Sequence, residues 1–298
     1  MLKKLCLLPL LFGHILFAQT FYGNNPLAHT YSIVARDSVS GEIGVAVQSH
    51  WFSVGSLVSW AEAGVGAIAT QSFVNPNFGP QGLALLKTGL PAPKVLEALI
   101  ASDEGRNVRQ LAVIDAQGQV AAFTGENCIP DAGHIVGEQF SVQANLMAND
   151  QVWPAMAKAY RQAEGPLAER MMSALTAAQD AGGDIRGKQS VAMLVVAPEA
   201  SGQPWVDRRV DLRIEDHPEP IKEMQRLLQV HRAYEHMNKG DLAVEKGAVD
   251  EALKEYAAAE SLFPQNEEMK FWHAVSLVNA GRLADALPIF SEVFAKKS

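Results

Sequence analysis

The chain has 298 residues, of which 48% are hydrophobic and 19% are charged, fractions typical of a soluble globular protein with a sizeable core. This length fits one large domain or two smaller ones. The formal net charge is -8, and there is no run of Lys or Arg of the kind that binds phosphate backbones. Composition and charge therefore argue against nucleic acid or an anionic membrane as a partner.

The first 18 residues have the pattern of a signal peptide. Lys3 and Lys4 precede an apolar run that ends at Ala18, as in a positive region, an apolar region and a small residue at the cleavage point. The run is too short, and too soon followed by polar residues, to predict a membrane span. We expect export to the periplasm or the medium, with no span left after cleavage.

Cysteine usage sets a further limit. Cys6 lies inside the apolar run and not at its end, which argues against a lipid anchor, and cleavage leaves Cys128 alone. One cysteine cannot form an intrachain disulfide, so the core must hold the fold. We interpret Cys128 as a buried structural thiol, with a reactive thiol as the alternative.

Residues 19–29 contain Gly, two Asn and Pro without periodicity, which predicts a linker or a pro-segment. Short apolar runs typical of strands follow at 30–37, 41–50, 64–72, 109–125, 134–147, 189–198 and 208–216. Helical spacing occupies 79–103, with a turn at Pro91–Pro93, and 152–181, with a break at 164–166. The Gly and Ala residues of the third strand indicate close approach of another sheet or a substrate. This order predicts an α+β domain over 30–231.

The C-terminal part of the chain repeats. The segment "GAVDEAL" at 247 recurs as "GRLADAL" at 281, an offset of 34 residues, and Tyr256 matches Phe290 at the same offset. This period is typical of tetratricopeptide repeats, which stack pairs of helices. We predict an all-α repeat region over 232–298 that docks a protein partner, with a generic helical hairpin as the alternative.

Residues 182–189, "GGDIRGKQ", nearly match a phosphate-binding loop. Gln189 replaces the Ser or Thr that would hold Mg²⁺, and a helix precedes the segment where a strand is required. A glycine helix cap followed by a basic turn is the better interpretation. The histidines are scattered and no metal-ligand spacing occurs, so we predict neither a cofactor nor a metal.

Two polar patterns lie within predicted strands. Gln143 and Asn145 interrupt an apolar strand. Buried amides need partners, so these two either tie strands together or line a pocket. Charges alternate with apolar residues over 209–215, which predicts a solvated strand face with cross-strand ion pairs.

The segment from "TYSIVARD" at 30 to "GPQGLALL" at 79–86 strongly resembles a bacterial family of the N-terminal-nucleophile (Ntn) hydrolase superfamily, domain of unknown function 1028. The resemblance continues through "RQLAVIDAQGQVAAFTG", "CIPDAGH", "SVQANLM", "GGDIRGKQSVAMLVV" and "RVDLRIEDHPEPI". It covers roughly residues 30–231. It implies a four-layer α/β/β/α sandwich, which agrees with the order of predicted elements.

The resemblance also implies an amide-bond hydrolase. In such enzymes a Thr becomes the first residue, its hydroxyl attacks a carbonyl, and its freed α-amine is the base; an α-amine of pKa about 7.7–8.0 suits this role. The matching residue is Thr30, so the bond between His29 and Thr30 must be cut. Many relatives carry the same threonine directly after the initiator Met.

The resemblance also indicates other site residues. Asn145 is the candidate oxyanion donor. The candidate substrate-binding residues are Ser49, Gln71, Ser72 and Gln143, and the expected substrate is a small amide or peptide-like molecule.

A non-catalytic alternative remains open. Proteasome-like relatives carry a lysine near the nucleophile, whereas Arg36 is the only Lys or Arg between Thr30 and Lys87. The same fold could then bind a ligand or partner, with the repeats as the docking surface. Because sheets of this fold often pair between copies, a homo-oligomer is a further expectation.

Overall fold

The computed structural model describes residues 27–295. The predicted signal peptide and most of the predicted linker, residues 19–26, lie outside this range. The chain divides into two compact units at Met224, and the predicted boundary at 231 lies further along the same helix. Within residues 27–295 no helix is both long enough and apolar enough to span a bilayer.

Eleven strands are found among residues 27–224, the described part of the first unit. In chain order they are β1 (Leu27–Ala28), β2 (Thr30–Arg36), β3 (Ile43–Ser49), β4 (Ser59–Glu62), β5 (Gly66–Phe73), β6 (Arg109–Asp115), β7 (Val120–Thr124), β8 (Gly133–Gly137), β9 (Phe140–Ala144), β10 (Ser190–Val196) and β11 (Arg208–Ile214).

The strands form two antiparallel sheets, which confirms the predicted α+β class. One sheet has five strands in the order β1-β5-β6-β7, with β4 also paired to β5. The other has six strands in the order β11-β10-β3-β2-β9-β8. The predicted strand pairs β2–β3, β6–β7 and β10–β11 are all present.

Helices lie against both sheets. They are α1 (Gly55–Val58), α2 (Phe78–Lys87), α3 (Ala92–Ala101), α4 (Val152–Gln162), α5 (Leu167–Asp180) and α6 (Pro204–Asp207), with a 3₁₀ turn at Arg106–Val108. Helices α2 and α3 contact the five-stranded sheet, and α4 and α5 contact the six-stranded sheet. The turn predicted at Pro91–Pro93 lies slightly earlier: Pro91 precedes α3 and Pro93 is in its first turn, where the missing N–H costs no helical hydrogen bond.

The two sheets also contact each other. Strand β5 touches β2 and β3 across the interface, and Ala67 and Ala69 are fully buried in a core shared with Val34 and Val45. Small side chains on β5 let the other sheet approach closely. Of the two expectations for this strand, the close neighbour is therefore another sheet.

The charged strand β11 departs from its prediction in one respect. Arg209, Asp211 and Arg213 are exposed, as expected for a solvated face. The ion pairs, however, join Asp211 to Arg208 and Arg213 of its own strand, at 3.0 and 3.4 Å. The prediction of cross-strand pairs was wrong, because in the sheet formed by the described residues β11 is an edge strand and the strand beside it, β10, is uncharged.

The C-terminal unit consists of helices. They are α7 (Pro220–Glu245), which begins in the first unit, α8 (Val249–Leu262), α9 (Glu267–Asn279) and α10 (Leu283–Ala295). Positions 34 residues apart are structurally alike: Gly247 and Gly281 have φ of 68° and 74° before α8 and α10, and Ala252 and Ala286 are buried in these helices.

Gly66 tests the packing of β5 on β6. Its φ is 154°, and a Cβ there would lie 2.3 Å from the Ile114 carbonyl oxygen. We expect Gly66→Ala to lower the free energy of unfolding by about 2–5 kcal/mol, through backbone strain and overlap. Gly89→Ala is the control, because Gly89 has φ of 85° but open space around it, and should cost about 1–2 kcal/mol. Urea unfolding followed by circular dichroism measures both, and equal losses would contradict the packing argument.

Candidate functional site

The candidate site lies where the chain crosses from one sheet to the other. Ala28 ends β1 in the five-stranded sheet, and Thr30 begins β2 in the six-stranded sheet. His29, between them, is 3% exposed, and Thr30 is fully buried. The peptide bond that the resemblance singles out therefore lies inside the protein, between the sheets.

The carbonyl oxygen of His29 accepts two hydrogen bonds. Ser49 Oγ donates one at 2.5 Å, and the Arg186 guanidinium donates the other at 2.8 Å. Ser49 is positioned by register, since it is the Cα partner of Thr30 across β2 and β3. Two donors on one carbonyl, one of them charged, polarise its C=O bond and stabilise negative charge on the oxygen.

Arg186 is fixed by Asp184. The Asp184 carboxylate accepts from Arg186 Nε at 3.0 Å and from a terminal nitrogen at 2.6 Å, a bidentate pair. The turn that carries both residues follows α5, whose end is capped by bonds from Gly182 N and Gly183 N to helix carbonyls. The near-match to a phosphate loop is thus a glycine helix cap, as predicted, and its arginine also reaches the site.

The His29 side chain has its own surroundings. Its Nδ1 lies 2.9 Å from Asn145 Oδ1, and its ring meets the Phe73 ring edge to face at 5.5 Å. Burial is the main cause that lowers the pKa of His29, and the positive charge of Arg186 acts in the same direction. A neutral ring is therefore favoured in the folded chain.

Thr30 is held at both its oxygens. Its Oγ1 donates to the Ala28 carbonyl at 2.7 Å. Its carbonyl accepts from Asn145 N at 3.1 Å and from Gln71 Nε2 at 3.2 Å. The structure thus brings four predicted residues together: Thr30, Ser49, Gln71 and Asn145.

A residue that sequence reasoning missed, Gln110 on β6, joins this group. Its Oε1 accepts from Gln71 Nε2 at 2.6 Å and from Asn145 Nδ2 at 2.9 Å. Its Nε2 donates to Thr124 Oγ1 at 2.8 Å and to the Ala144 carbonyl at 2.9 Å. Like Gln143, Gln110 is a buried amide in an apolar strand, so the argument used for Gln143 could have found it. Asn145 Nδ2 donates to Gln110 Oε1 at 2.9 Å and to the Thr30 carbonyl at 3.4 Å, so the donors to the His29 carbonyl are Ser49 and Arg186 and not the predicted Asn145.

The other two predicted residues lie close by. Gln143 Nε2 donates to Ser32 Oγ at 2.6 Å, and Ser32 Oγ donates to Gln71 Oε1 at the same distance, so Gln143 is linked to Thr30 only through its neighbours. Ser72 is the register partner of Ala28. It is buried with φ of 72°, a strained conformation of the kind that is found at functional sites.

The polar group extends from Gln110 towards an open cavity. Thr124 Oγ1 lies 2.8 Å from His134 Nδ1, and both residues line a cavity of about 730 Å³. Cys128 also lines it, but burial raises the pKa of its thiol, which leaves it a weak nucleophile near neutral pH. Over residues 27–295 no group of three His, Cys, Asp or Glu side chains could hold a metal ion.

Gln110 tests the buried amide group. We expect Gln110→Leu to lower the free energy of unfolding by about 2–4 kcal/mol, because it leaves Gln71 and Asn145 without their shared acceptor. Gln119→Leu is a matched control on an exposed residue of the same hairpin and should change stability by less than about 0.5 kcal/mol. Urea unfolding compares the two, and a Gln110→Leu chain as stable as the control would refute the role of the group.

His29 tests the pH dependence of the uncut arrangement. Because folding lowers its pKa, the unfolded chain binds more protons, and stability is lost as pH falls below about 6.5. In a chain that keeps residues 27–29, His29→Gln should reduce the loss of unfolding free energy between pH 7.5 and 5.5. His231→Gln, in the second unit, is the control. An unchanged loss in His29→Gln would show that His29 is not held neutral by burial.

Comparison with known proteins places these residues in a family. The chain is similar to the crystal structure of protein SPO2555 from Silicibacter pomeroyi, a member of family DUF1028, with a TM-score of 0.61 and 31% sequence identity over 68% of this chain and 88% of that chain. A comparison with curated proteins finds no match. Residues 30–224 match the model of DUF1028, described as a family of unknown function. The match begins at Thr30 and takes in Ser49, Gln71, Asn145 and Arg186, and the chain therefore belongs to the DUF1028 family.

Proposed function

We propose that the protein is an exported Ntn-type amidohydrolase that cleaves a peptide-like amide bond with Thr30 as its N-terminal nucleophile. One observation carries the proposal: the carbonyl before Thr30 is held by Ser49 Oγ at 2.5 Å and Arg186 at 2.8 Å. Two donors already bonded to this oxygen can stabilise the negative charge that develops on it in a tetrahedral intermediate. The hydroxyl of Thr30 lies on the same residue as the bond to be broken.

The first reaction is the cut between His29 and Thr30. Both residues are buried, so a separate protease cannot reach the bond in the folded chain, and an intramolecular reaction is favoured. Thr30 Oγ1 rotates away from the Ala28 carbonyl and attacks the His29 carbonyl carbon. Its proton passes to the Thr30 nitrogen, which leaves as an amine. Water then hydrolyses the ester between His29 and Oγ1, which frees Oγ1 and the α-amine.

The same two groups then act on substrate. Oγ1 attacks the substrate amide carbon while the α-amine takes its proton, and the C–N bond breaks as the leaving amine receives that proton. Water attacks the resulting ester, the α-amine accepts a proton from it, and Oγ1 regains the proton as the carboxylic acid departs. Ser49 and Arg186 stabilise the oxyanion in both halves of the reaction.

Arg186 has a second role in this scheme. A positive charge beside an α-amine lowers the pKa of the amine and keeps it unprotonated near neutral pH. Arg186 therefore has the role of the lysine in proteasome-like enzymes, which is to lower the pKa of the α-amine. Since it comes from the turn after α5, no basic residue is needed between Thr30 and Lys87.

Three other features of the chain support export and the expected architecture. The basic and apolar pattern of residues 1–18 supports export. The helices against both sheets support the four-layer α/β/β/α sandwich of Ntn hydrolases. Like environments at Gly247 and Gly281 support tetratricopeptide-like repeats in the second unit.

A second candidate is a non-catalytic protein that binds a partner through its repeats. The observation that favours it is a set of exposed apolar side chains in the second unit: Tyr234, Leu242, Val244, Val249, Trp272, Val278, Leu283, Leu287 and Phe294. Exposed apolar side chains mark an interaction surface where they form one contiguous patch. Partner binding by the second unit is compatible with enzymatic activity in the first unit. It is the sole function of the protein only if the bond before Thr30 is never cut.

Thr30 decides between the two candidates. We expect the protein exported by its own host to begin at Thr30 by intact-mass measurement, and Thr30→Ala to keep residues up to His29 and to lose at least 1000-fold in amide hydrolysis. Thr88→Ala, at an exposed helix end, is the control and should behave as the natural chain. Aminoacyl-7-amido-4-methylcoumarins are the substrates for the activity measurement. Export of an uncut natural chain, or activity that survives Thr30→Ala, would sink the mechanism.

A further inference from the structure

We infer that residues 27–29 occupy the acyl side of the substrate site, so that the processed enzyme takes a peptide in an extended conformation. This inference rests on the proposed function, because the site becomes free only after the cut at Thr30. It names the substrate class that the proposed function leaves open.

The backbone of the segment gives the first argument. Leu27 and Ala28 pair antiparallel with Phe73 and Ser72 of β5. One edge of β5 pairs with β6 from Gly66 to Ser72. The other edge pairs with β4 from Gly66 to Ala69. The two residues of β1 therefore cover the end of this edge of β5, at Ser72 and Phe73, beyond the part that pairs with β4. Their departure leaves backbone donors and acceptors that an extended peptide satisfies by strand addition.

The side chains give the second argument. Ala28 is fully buried in the core between the sheets. The substrate residue that precedes the one whose carbonyl is attacked must therefore have a small side chain. The His29 ring fills a polar pocket between Phe73, at 5.5 Å, and Asn145 Oδ1, at 2.9 Å from Nδ1. The pocket thus offers an aromatic face and a hydrogen-bond acceptor to a neutral ring or amide.

The carbonyl gives the third argument. Ser49 and Arg186 already hold the His29 carbonyl oxygen, which is the atom that a substrate must place at the oxyanion position. Strand, side-chain pocket and carbonyl donors are therefore aligned along one three-residue segment. A substrate with a peptide acyl group contacts the strand edge, the side-chain pocket and the carbonyl donors, whereas a small simple amide contacts only the carbonyl donors.

The chemistry follows the proposed mechanism. Thr30 Oγ1 forms an ester with the carbonyl carbon of the third acyl-side residue, and the amine on the other side leaves with the proton from Oγ1. Water then cleaves the ester and releases a free tripeptide acid.

The test uses the protein as its host exports it and two matched substrates, acetyl-Leu-Ala-His-amidomethylcoumarin and the reversed acetyl-His-Ala-Leu-amidomethylcoumarin. We expect kcat/KM for the first to be at least tenfold higher than for the second and for acetyl-alanine-amidomethylcoumarin. We also expect acetyl-Leu-Ala-His acid to inhibit at least tenfold more strongly than acetyl-His-Ala-Leu acid. Binding of the two acids is measured separately by calorimetry on the same sample.

The outcomes separate the two claims. A cut protein that hydrolyses all three substrates equally, and binds both acids equally, overturns the peptide site and leaves the amidohydrolase standing. A cut protein that binds acetyl-Leu-Ala-His selectively but hydrolyses nothing supports the peptide site and overturns the enzyme. An uncut protein, whose own segment fills the site, overturns both.

Discussion

The hydrogen bonds on the His29 carbonyl are the constraint on which the rest of the site depends. They bring together three distant parts of the chain: the crossing between β1 and β2, the end of β3 with Ser49, and the turn after α5 with Arg186. Each part is fixed by ordinary folding physics, namely the β2–β3 register, the glycine cap of α5, and the Arg186–Asp184 ion pair. A polarised carbonyl beside a buried threonine is the result.

The site is embedded in an interior that is unusually rich in amides. Gln71, Gln110, Gln143 and Asn145 are all fully buried, and hydrogen bonds to their neighbours offset the cost of burying their polar atoms. Gln110 joins the two sheets at this point, because it pairs with Gln71, with Asn145 and with the Ala144 carbonyl. A fully paired group of this kind holds both sheets in one relative position, and the placement of Thr30 between them needs that rigidity.

The sequence predicted the fold better than the site. Apolar alternation located the strand pairs and the break at 164–166, because these features are local. It missed β1 because a two-residue strand carries no periodicity. Of the site, Thr30, Ser49, Gln71 and Asn145 came from the family resemblance, and they do lie together. Arg186 could not be predicted, because its partner is 157 residues away and its surroundings look like a failed phosphate loop. Gln110 was within reach, since it is a lone amide in an apolar strand.

In the proposed mechanism Thr30 is both the product of a cut and a nucleophile, and acylation by a β-lactone tests both roles at once. Oγ1 of a free N-terminal threonine opens the lactone ring to form an ester, and its proton passes through the α-amine to the ring oxygen, which stays on the acyl group as a hydroxyl. After treatment of the protein isolated from its own host, peptide mass spectrometry should place one added lactone mass on a peptide that begins at Thr30. A label at any other residue, or an unlabelled peptide that still joins His29 to Thr30, would contradict the account.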